Sequence, residues 1–195
     1  MNNPRESRPR ICDYEGSNYR TEFWEGKSRD YEDNVERIAL RRLLPSGGRR
    51  LLEVGAGFGR LTNEYHAYEQ VVLLDYSLSQ LRYAQQYLGD SDRYVYVAAD
   101  AYSLPFRPGS FDGATVIRVI HHISDTSAVL RQVRFRAAGR ILVENRSARR
   151  GIRHNYGIQG IRLGALRPDD AALRLKRCRS AAASELRCAD LVRCD

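Results

Sequence analysis

The sequence contains no apolar run that approaches the roughly 20 residues a membrane span needs, so no transmembrane helix is predicted. The first ten residues, MNNPRESRPR, are charged and have no apolar segment behind them, which excludes a secretory signal. Cysteine is scarce: Cys12, Cys178, Cys188 and Cys194 form no CxxC pair, and no histidine stands at zinc-finger spacing. These absences exclude a disulfide scaffold, and we expect a soluble, cytoplasmic protein without a metal site.

Lysine is nearly absent, since only Lys27 and Lys176 occur among the 32 basic residues. This bias indicates a GC-rich coding sequence more than selection of arginine for phosphate contacts. The formal net charge of +8 is unevenly distributed. Residues 1–130 hold 16 basic and 18 acidic side chains, whereas residues 131–195 hold 16 and 6. A basic tail can bind RNA non-specifically, so a nucleic-acid partner is left open but not favoured.

The length of 195 residues, with 43% hydrophobic residues, is typical of one folded domain with an appendage. We predict an N-terminal arm over residues 1–27, a domain over residues 28–146 and an atypical, arginine-rich tail over residues 147–195. The tail has no clear strand pattern, and only weak helical patterns, over residues 169–178 and 181–192. A surface extension, a disordered tail and a shift of the reading frame after residue 133 are the open alternatives for it.

Strands and helices alternate along the predicted domain. The predicted elements are a helix over 30–44, a strand over Leu51–Val54, a helix over Phe58–Tyr68, a strand over Val71–Leu74, a helix from its cap at Ser77 to Leu88, strands over Tyr94–Ala98 and Phe111–Ile117, a helix over 126–137 and a strand over Ile141–Glu144. This order predicts an α/β fold, Rossmann-like and doubly wound, with a mainly parallel sheet covered by helices on both faces. Ligands of such sheets bind at the carboxyl ends of the strands.

A glycine-rich turn follows the first strand, in the segment LLEVGAGFGR from Leu51 to Arg60. Glycines allow the backbone to approach a ligand closely, and a helix that starts there favours negative groups. The segment also resembles a dinucleotide fingerprint, GxGxxG, but Arg60 stands where a small residue is needed. Glu53 fits a pyrophosphate poorly, and its charge suits a ligand that carries an amino group and a sulfonium.

Acidic residues follow the second and third strands. Asp75 lies 20 residues after Gly55, where a carboxylate can accept both hydroxyls of a ribose. Asp100, followed by Ala101, can accept a hydrogen bond from an adenine amino group. For both aspartates a purely structural role in a turn is the alternative.

The fourth strand leads into Arg118 and then into an adjacent pair, His121 and His122. Histidine is the side chain best suited to remove a proton near neutral pH, so the pair supplies candidate catalytic bases. Because adjacent side chains are expected to point apart, at most one of them would serve. The alternative is that one caps the next helix and the other packs under the sheet.

In this order the segments resemble the class I S-adenosylmethionine-dependent methyltransferases, over about residues 28–145. The resemblance implies that S-adenosylmethionine is the methyl donor and that an N-terminal arm covers the donor or the acceptor. It also implies a role for each matching residue: Glu53, Gly55, Ala56, Gly57 and Gly59 beside the methionine part, Asp75 on the ribose, Tyr76 against the adenine, Asp100 and Ala101 at the adenine edge, and Arg118 on the methyl-transfer side.

The sequence departs from the family pattern near its end. The usual Pro-Gly-Gly turn before the fifth strand is absent, and the final strands have no recognisable counterpart, so the C-terminal strands are expected to be missing. After the fourth strand the sequence lacks the (N/D)-P-P-(Y/F) box of enzymes that methylate amino groups of nucleic acids, which favours a small-molecule acceptor. A donor-binding but inactive remnant, an RNA methyltransferase that uses the basic tail and an NAD-dependent oxidoreductase are the alternatives. The oligomeric state is not predicted.

Overall fold

A six-stranded sheet forms the centre of the protein in the computed structural model, which describes residues 13–44, 47–145 and 157–161, the last five and residues 144–145 by their backbone alone. The elements in chain order are α1 (Tyr19–Phe23), α2 (Asp30–Leu43), β1 (Gly48–Val54), β2 (Tyr68–Asp75), α3 (Leu78–Leu88), β3 (Tyr94–Ala98), β4 (Phe111–Val116), α4 (Thr126–Arg136), β5 (Ala137–Asn145) and β6 (Gly157–Ile161). Two short 3₁₀ helices, Thr62–Tyr65 and Ile120–His122, lie between them. The strand order is β3-β2-β1-β4-β5-β6, with β1 to β5 parallel and β6 antiparallel to β5.

The central strands are buried on both faces, as expected for a parallel sheet between two layers of helices. In β1, Leu52 contributes to an apolar cluster on one face and Leu51 to a cluster on the other. Helix α4 packs on the first face, and α2 and α3 pack on the second. This arrangement confirms the predicted α/β fold and places the carboxyl ends of β1, β2 and β4 beside one another.

Two helices each begin at a residue whose side chain caps the helix N-terminus. The Ser77 hydroxyl accepts a hydrogen bond from the backbone N–H of Gln80 at 3.2 Å, which begins α3 where the sequence predicts. Asp125 accepts from the N–H of Ala128 at 2.9 Å and begins α4 in the same way. Gly89 then ends α3 with a φ of 82°.

The predicted helix over Phe58–Tyr68 is wrong. The segment consists of turns and the 3₁₀ helix Thr62–Tyr65, and Tyr68 already opens β2. Its side chains bond inwards to β1 rather than lining one side of a helix, because the hydroxyls of Thr62 and Tyr65 both contact the carboxylate of Glu53.

The prediction that no strand follows residue 146 is also wrong for one segment, since Gly157–Ile161 pairs with β5. The predicted tail helices over 169–178 and 181–192 and all four cysteines lie outside the described residues. Strand β5 is packed in the core as far as Val143, which is 5% exposed. A shifted reading frame would therefore have to begin beyond this residue, since the sequence before it matches the fold.

The apolar positions Val35, Ile38, Ala39 and Leu43 predict one buried face of α2, but the structure buries a different one. Ile38 is 46% exposed, whereas Glu36 and Leu40 are buried. The reason is electrostatic, because the buried Glu36 forms ion pairs with Arg60 and Arg118 at the carboxyl edge of the sheet. Within the described part of the chain no helix is long and apolar enough to cross a membrane.

Candidate active site at the carboxyl edge of the sheet

A small cavity of about 60 Å³ lies at the carboxyl ends of β1 and β4. Its lining comes from the predicted arm, the glycine turn and the residues after β4. The lining residues are Tyr19, Trp24, Glu53, Val54, Gly55, Ala56, Gly57, Phe58, Arg60, Leu61, Ile117 and Arg118. The cavity thus brings together the predicted residues Glu53, Gly55, Ala56, Gly57 and Arg118.

The glycine turn requires glycine at its first position. Gly55 has a φ of 70°, and a Cβ atom there would lie 2.1 Å from Cγ2 of Val119. Its N–H and that of Ala56 donate to the carbonyl of Leu74 at 2.7 and 3.1 Å, which fixes the turn against the end of β2. Gly59 is also a member of this turn, but it packs towards Leu88 of α3 and does not line the cavity.

The Asp75 carboxylate joins the glycine turn to the start of α3. One oxygen accepts from the N–H of Gly57 at 2.8 Å and the other from the N–H of Ser77 at 2.9 Å. Burial raises the pKa of Asp75, while these backbone donors act in the opposite direction. A carboxylate has about four acceptor positions in all, so the side chain can still accept a hydrogen bond from a ribose hydroxyl.

The residues predicted to contact adenine lie at the more exposed end of the site. Tyr76 is 42% exposed, and its hydroxyl accepts a hydrogen bond from the N–H of Tyr14 in the arm. Asp100 accepts from the N–H of Tyr102 at 2.9 Å and so makes the turn that the structural alternative describes. Neither contact excludes a role in adenine binding, which stays a prediction for Tyr76, Asp100 and Ala101.

Glu53 lies at the inner wall of the cavity and is 6% exposed. Its carboxylate accepts hydrogen bonds from Oγ1 of Thr62 at 2.7 Å and from the hydroxyl of Tyr65 at 3.0 Å. The Tyr65 hydroxyl in turn accepts from Oγ1 of Thr115 at 3.2 Å. Burial is the main cause that raises the pKa of Glu53 to about 7, against the effect of the hydroxyls and of Arg60.

Arg118 follows β4 and has a φ of 59°, which is rare for a residue with a side chain. Its Nε donates to Glu36 at 2.6 Å and its Nη2 to Glu32 at 3.1 Å, both in α2. The side chain is only 8% exposed. It lines the cavity while its charge is compensated by α2.

Sequence reasoning missed the contribution of the α2 carboxylates, whereas Trp24 belongs to the arm for which the resemblance implies a covering role. The indole of Trp24 has the guanidinium carbon of Arg60 3.6 Å from its centroid and that of Arg118 at 4.9 Å. Arg60 also bonds to Asp33 and Glu36. The signal that could have revealed this is the group of acidic residues 32, 33 and 36 on one side of α2, since arginine follows both the glycine turn and β4.

The histidine pair does not point in two directions as the sequence analysis expects. The rings of His121 and His122 lie 3.8 Å apart, in the 3₁₀ helix after β4. His122 also meets the ring of Tyr14 edge-on at 5.5 Å. Neither imidazole lines the cavity, although both lie at the carboxyl edge of the sheet.

The arm crosses this edge between α3 and the histidine pair. The N–H of Gly16 donates to the hydroxyl of Ser79 at 2.8 Å, and the Glu15 carboxylate accepts from the N–H of Ser79 at 3.3 Å. Tyr19 packs its ring 6.3 Å from that of Phe58. The arm therefore closes the cavity, whose volume is well below the roughly 300 Å³ of a small-molecule site.

Comparison with known proteins identifies the family. A sequence profile described as methyltransferase domain matches residues 52–136. A 27-O-demethylrifamycin SV methyltransferase of Amycolatopsis mediterranei (strain S699) is 30% identical over 125 residues, which are 60% of this chain and 46% of the relative. A demethylmenaquinone methyltransferase of Clavibacter sepedonicus is 36% identical over 86 residues, 43% of this chain and 35% of the relative.

A solved structure agrees with the sequence matches. The crystal structure of an S-adenosylmethionine dependent methyltransferase from Mesorhizobium loti aligns with a TM-score of 0.51 and 29% identity, over 56% of this chain and 52% of that one. The chain spans about half or less of the length of these relatives. The matches confirm the family predicted from the glycine turn, together with the cofactor of that family. Residues 52–136 of this chain therefore match a methyltransferase domain and are similar to class I S-adenosylmethionine-dependent methyltransferases.

Proposed function

We propose that this protein binds S-adenosylmethionine at the carboxyl ends of β1 and β2 and transfers its methyl group to a small organic acceptor. The observation that carries the proposal is the Asp75 carboxylate, which holds the N–H of Gly57 at 2.8 Å beside the buried Glu53. A hydrogen-bond acceptor for a ribose, a glycine-rich backbone turn and a carboxylate suited to a cationic ligand thus lie within one site.

The residues assigned to the donor keep the roles that the resemblance implies. Glu53, Gly55, Ala56 and Gly57 line the cavity and are proposed to contact the methionine part, with Gly59 shaping the same turn. Asp75 is proposed for the ribose. Tyr76, Asp100 and Ala101 are proposed for the adenine, and Arg118 for the side from which the methyl group leaves.

S-adenosylmethionine, when bound, supplies a methyl group that is already activated on a sulfonium. The protein therefore has to align the acceptor and keep out water, and alignment alone can lower a barrier by roughly 7–11 kcal/mol. Tyr19 and Trp24 serve the second purpose, because they close the cavity from the side of the arm.

The proposed acceptor atom is a hydroxyl oxygen of a small molecule. The name of the Amycolatopsis relative, a 27-O-demethylrifamycin SV methyltransferase, supports this class. A hydroxyl must lose a proton during transfer, and His121 or His122 is proposed to remove it.

Calorimetric titration of S-adenosylmethionine, S-adenosylhomocysteine and NAD into the full chain tests the donor site. We expect saturable binding of the first two and none of NAD. A folded sample that binds neither adenosyl ligand, or that binds NAD instead, would contradict the proposal.

Transfer is tested separately, because donor binding alone would also be found in an inactive remnant. The protein is incubated with S-adenosylmethionine labelled in its methyl group and with a panel of phenols, alcohols and RNA. Label on a hydroxylated small molecule supports the proposal. Label on RNA would favour the alternative that uses the basic tail, and binding without any transfer would favour the inactive remnant.

A further inference from the structure

Glu53 is a buried carboxylate without a cation of its own. Among the described residues, its hydrogen-bond partners are the hydroxyls of Thr62 and Tyr65, and no basic side chain forms an ion pair with it. Arg60 is close enough to act on Glu53 electrostatically. The guanidinium of Arg60, however, forms ion pairs with Asp33 and Glu36, and these two carboxylates compensate its positive charge.

The groups that face Glu53 come from every neighbouring element. They are Arg60 of the glycine turn, Thr62 and Tyr65 of the 3₁₀ helix, Asp75 of β2 and Thr115 of β4, and Tyr19, Trp24 and Arg118 line the same cavity. Asp75 adds a second negative charge rather than a positive one. An ionised carboxylate in such surroundings is disfavoured until a positive charge enters the cavity.

The hydroxyl chain can serve both states of the carboxyl group. When Glu53 is ionised, Thr62 and Tyr65 donate to its two oxygens. When it is protonated, its O–H can donate to the oxygen of one of them, and the hydroxyl rotors of Tyr65 and Thr115 can turn accordingly. Neither state leaves a buried polar group without a partner.

We propose that Glu53 is a specificity-determining residue of the donor site, which holds a proton in the empty cavity and releases it when a cationic adenosyl ligand binds. This inference rests on the proposed function, because it needs S-adenosylmethionine to enter this cavity. The donor carries a sulfonium and an ammonium against one carboxylate, whereas the thioether product has lost the sulfonium charge. The donor therefore gains more than the product from ionisation of Glu53.

Titration calorimetry in several buffers with different ionisation enthalpies counts the protons that binding releases. With S-adenosylmethionine we expect about half a proton per site near pH 7, since the pKa of Glu53 lies at about 7. Below that pH the release increases and the affinity falls, by up to about tenfold for each pH unit. S-adenosylhomocysteine should release fewer protons, and 5′-methylthioadenosine, which has neither positive charge, should release none.

Two variants identify the titrating group. Glu53→Gln should abolish the proton release and remove the pH dependence of donor affinity, and it should reduce the preference for donor over product. Thr62→Val leaves the carboxyl group in place but removes one donor to its charged form, so proton release should persist to a higher pH. Wild-type binding without proton release, or unchanged release in Glu53→Gln, would overturn the inference while leaving the proposed function intact. Absence of donor binding altogether would refute both.

Discussion

Asp75 is the residue in which local structure and proposed function coincide. Its two oxygens fix the N–H groups of Gly57 and Ser77, so the same carboxylate shapes the glycine turn and begins α3. A buried acceptor that satisfies two backbone donors is costly to remove, because each unpaired group loses about 1–3 kcal/mol. The side chain is therefore needed for the shape of the site whether or not a ligand is bound.

Asp75→Asn should weaken the binding of S-adenosylmethionine at least about tenfold and lower the stability by about 1–3 kcal/mol. The amide nitrogen would meet a backbone N–H where an oxygen now accepts. Calorimetry gives the affinity and urea unfolding gives the stability. Asp112→Asn is the matched control, because Asp112 accepts from the N–H of Arg50 at 2.8 Å at the opposite edge of the sheet. Equal donor affinities in the two variants would contradict the assignment.

The raised pKa of Glu53 predicts how the free energy of unfolding depends on pH. Its pKa in the folded protein, about 7, lies above the ordinary value of 4.5, so the folded state binds the proton more tightly than the unfolded chain. The resulting stabilisation is fully present below about pH 4.5 and is lost as the pH rises to about 7. We expect the free energy of unfolding of the wild type, relative to Glu53→Gln, to fall by at most about 3 kcal/mol over this range. A constant difference between the two proteins would show that Glu53 ionises normally.

At the scale of the elements, two contacts hold the site together: the turn after β1 packs on the segment after β4, and α2 is bound to both through ion pairs. Gly55 touches Val119 in the first contact. Glu36, at 3% exposure, joins Arg60 and Arg118 in the second. The carboxyl edge is thus shaped by segments that lie far apart in the chain.

Gly55→Ala should destabilise the protein by about 2–4 kcal/mol, because a positive φ costs about 1 kcal/mol and a Cβ atom would overlap Val119. Gly109→Ala is the control, since Gly109 has a similar φ of 66° and open space around its Cβ position. The control should lose only about 1 kcal/mol in urea unfolding. Similar losses in both variants would show that the contact with Val119 relaxes freely.

Glu36→Gln should destabilise the protein by about 3–5 kcal/mol, because it leaves two buried guanidinium groups undercompensated. Glu32→Gln is the comparison, because Glu32 binds Arg118 at 3.1 Å but is 20% exposed. Its loss should cost about 1 kcal/mol or less. Urea unfolding measures the loss of stability in both variants. A loss in Glu36→Gln as small as that in Glu32→Gln would mean that Arg60 and Arg118 form other ion pairs.

At the scale of the whole molecule, the arm lies over the carboxyl edge of the sheet, and we expect it to cover the site. Its contacts run from Ser79 at the start of α3 to His122 after β4. Because the cavity measures only about 60 Å³, we expect the arm to shift when an adenosyl ligand enters. The predicted domain bounds, the cytoplasmic location and the role of the basic tail remain predictions.

The fluorescence of Trp24 can monitor this shift of the arm, because Trp24 is the only tryptophan in the sequence. Its ring now lies against Arg60 and lines the cavity. We expect its fluorescence intensity and emission maximum to change saturably when S-adenosylmethionine is added. Trp24→Phe should remove the signal but keep the fold by circular dichroism. Calorimetric binding without any change in emission would show that the donor enters without moving the arm.

The sequence by itself determined the fold class, the family and the order of the site segments. It could do so because the glycine turn, Asp75 and Asp100 depend on spacing relative to buried strands, and that spacing is local. The caps at Ser77 and Asp125 are local in the same sense, since each bonds to the third residue after it.

Only the tertiary structure decided the charge arrangement around the site. The helix predicted over Phe58–Tyr68 gave way to a 3₁₀ turn because Thr62 and Tyr65 bond to Glu53 on a neighbouring strand. Likewise, Glu36 rather than Ile38 lies on the buried face of α2, because its carboxylate forms ion pairs with Arg60 and Arg118 at the carboxyl edge of the sheet. Apolar periodicity carries no information about a charged partner that lies more than 20 residues away, such as the two arginines that pair with Glu36.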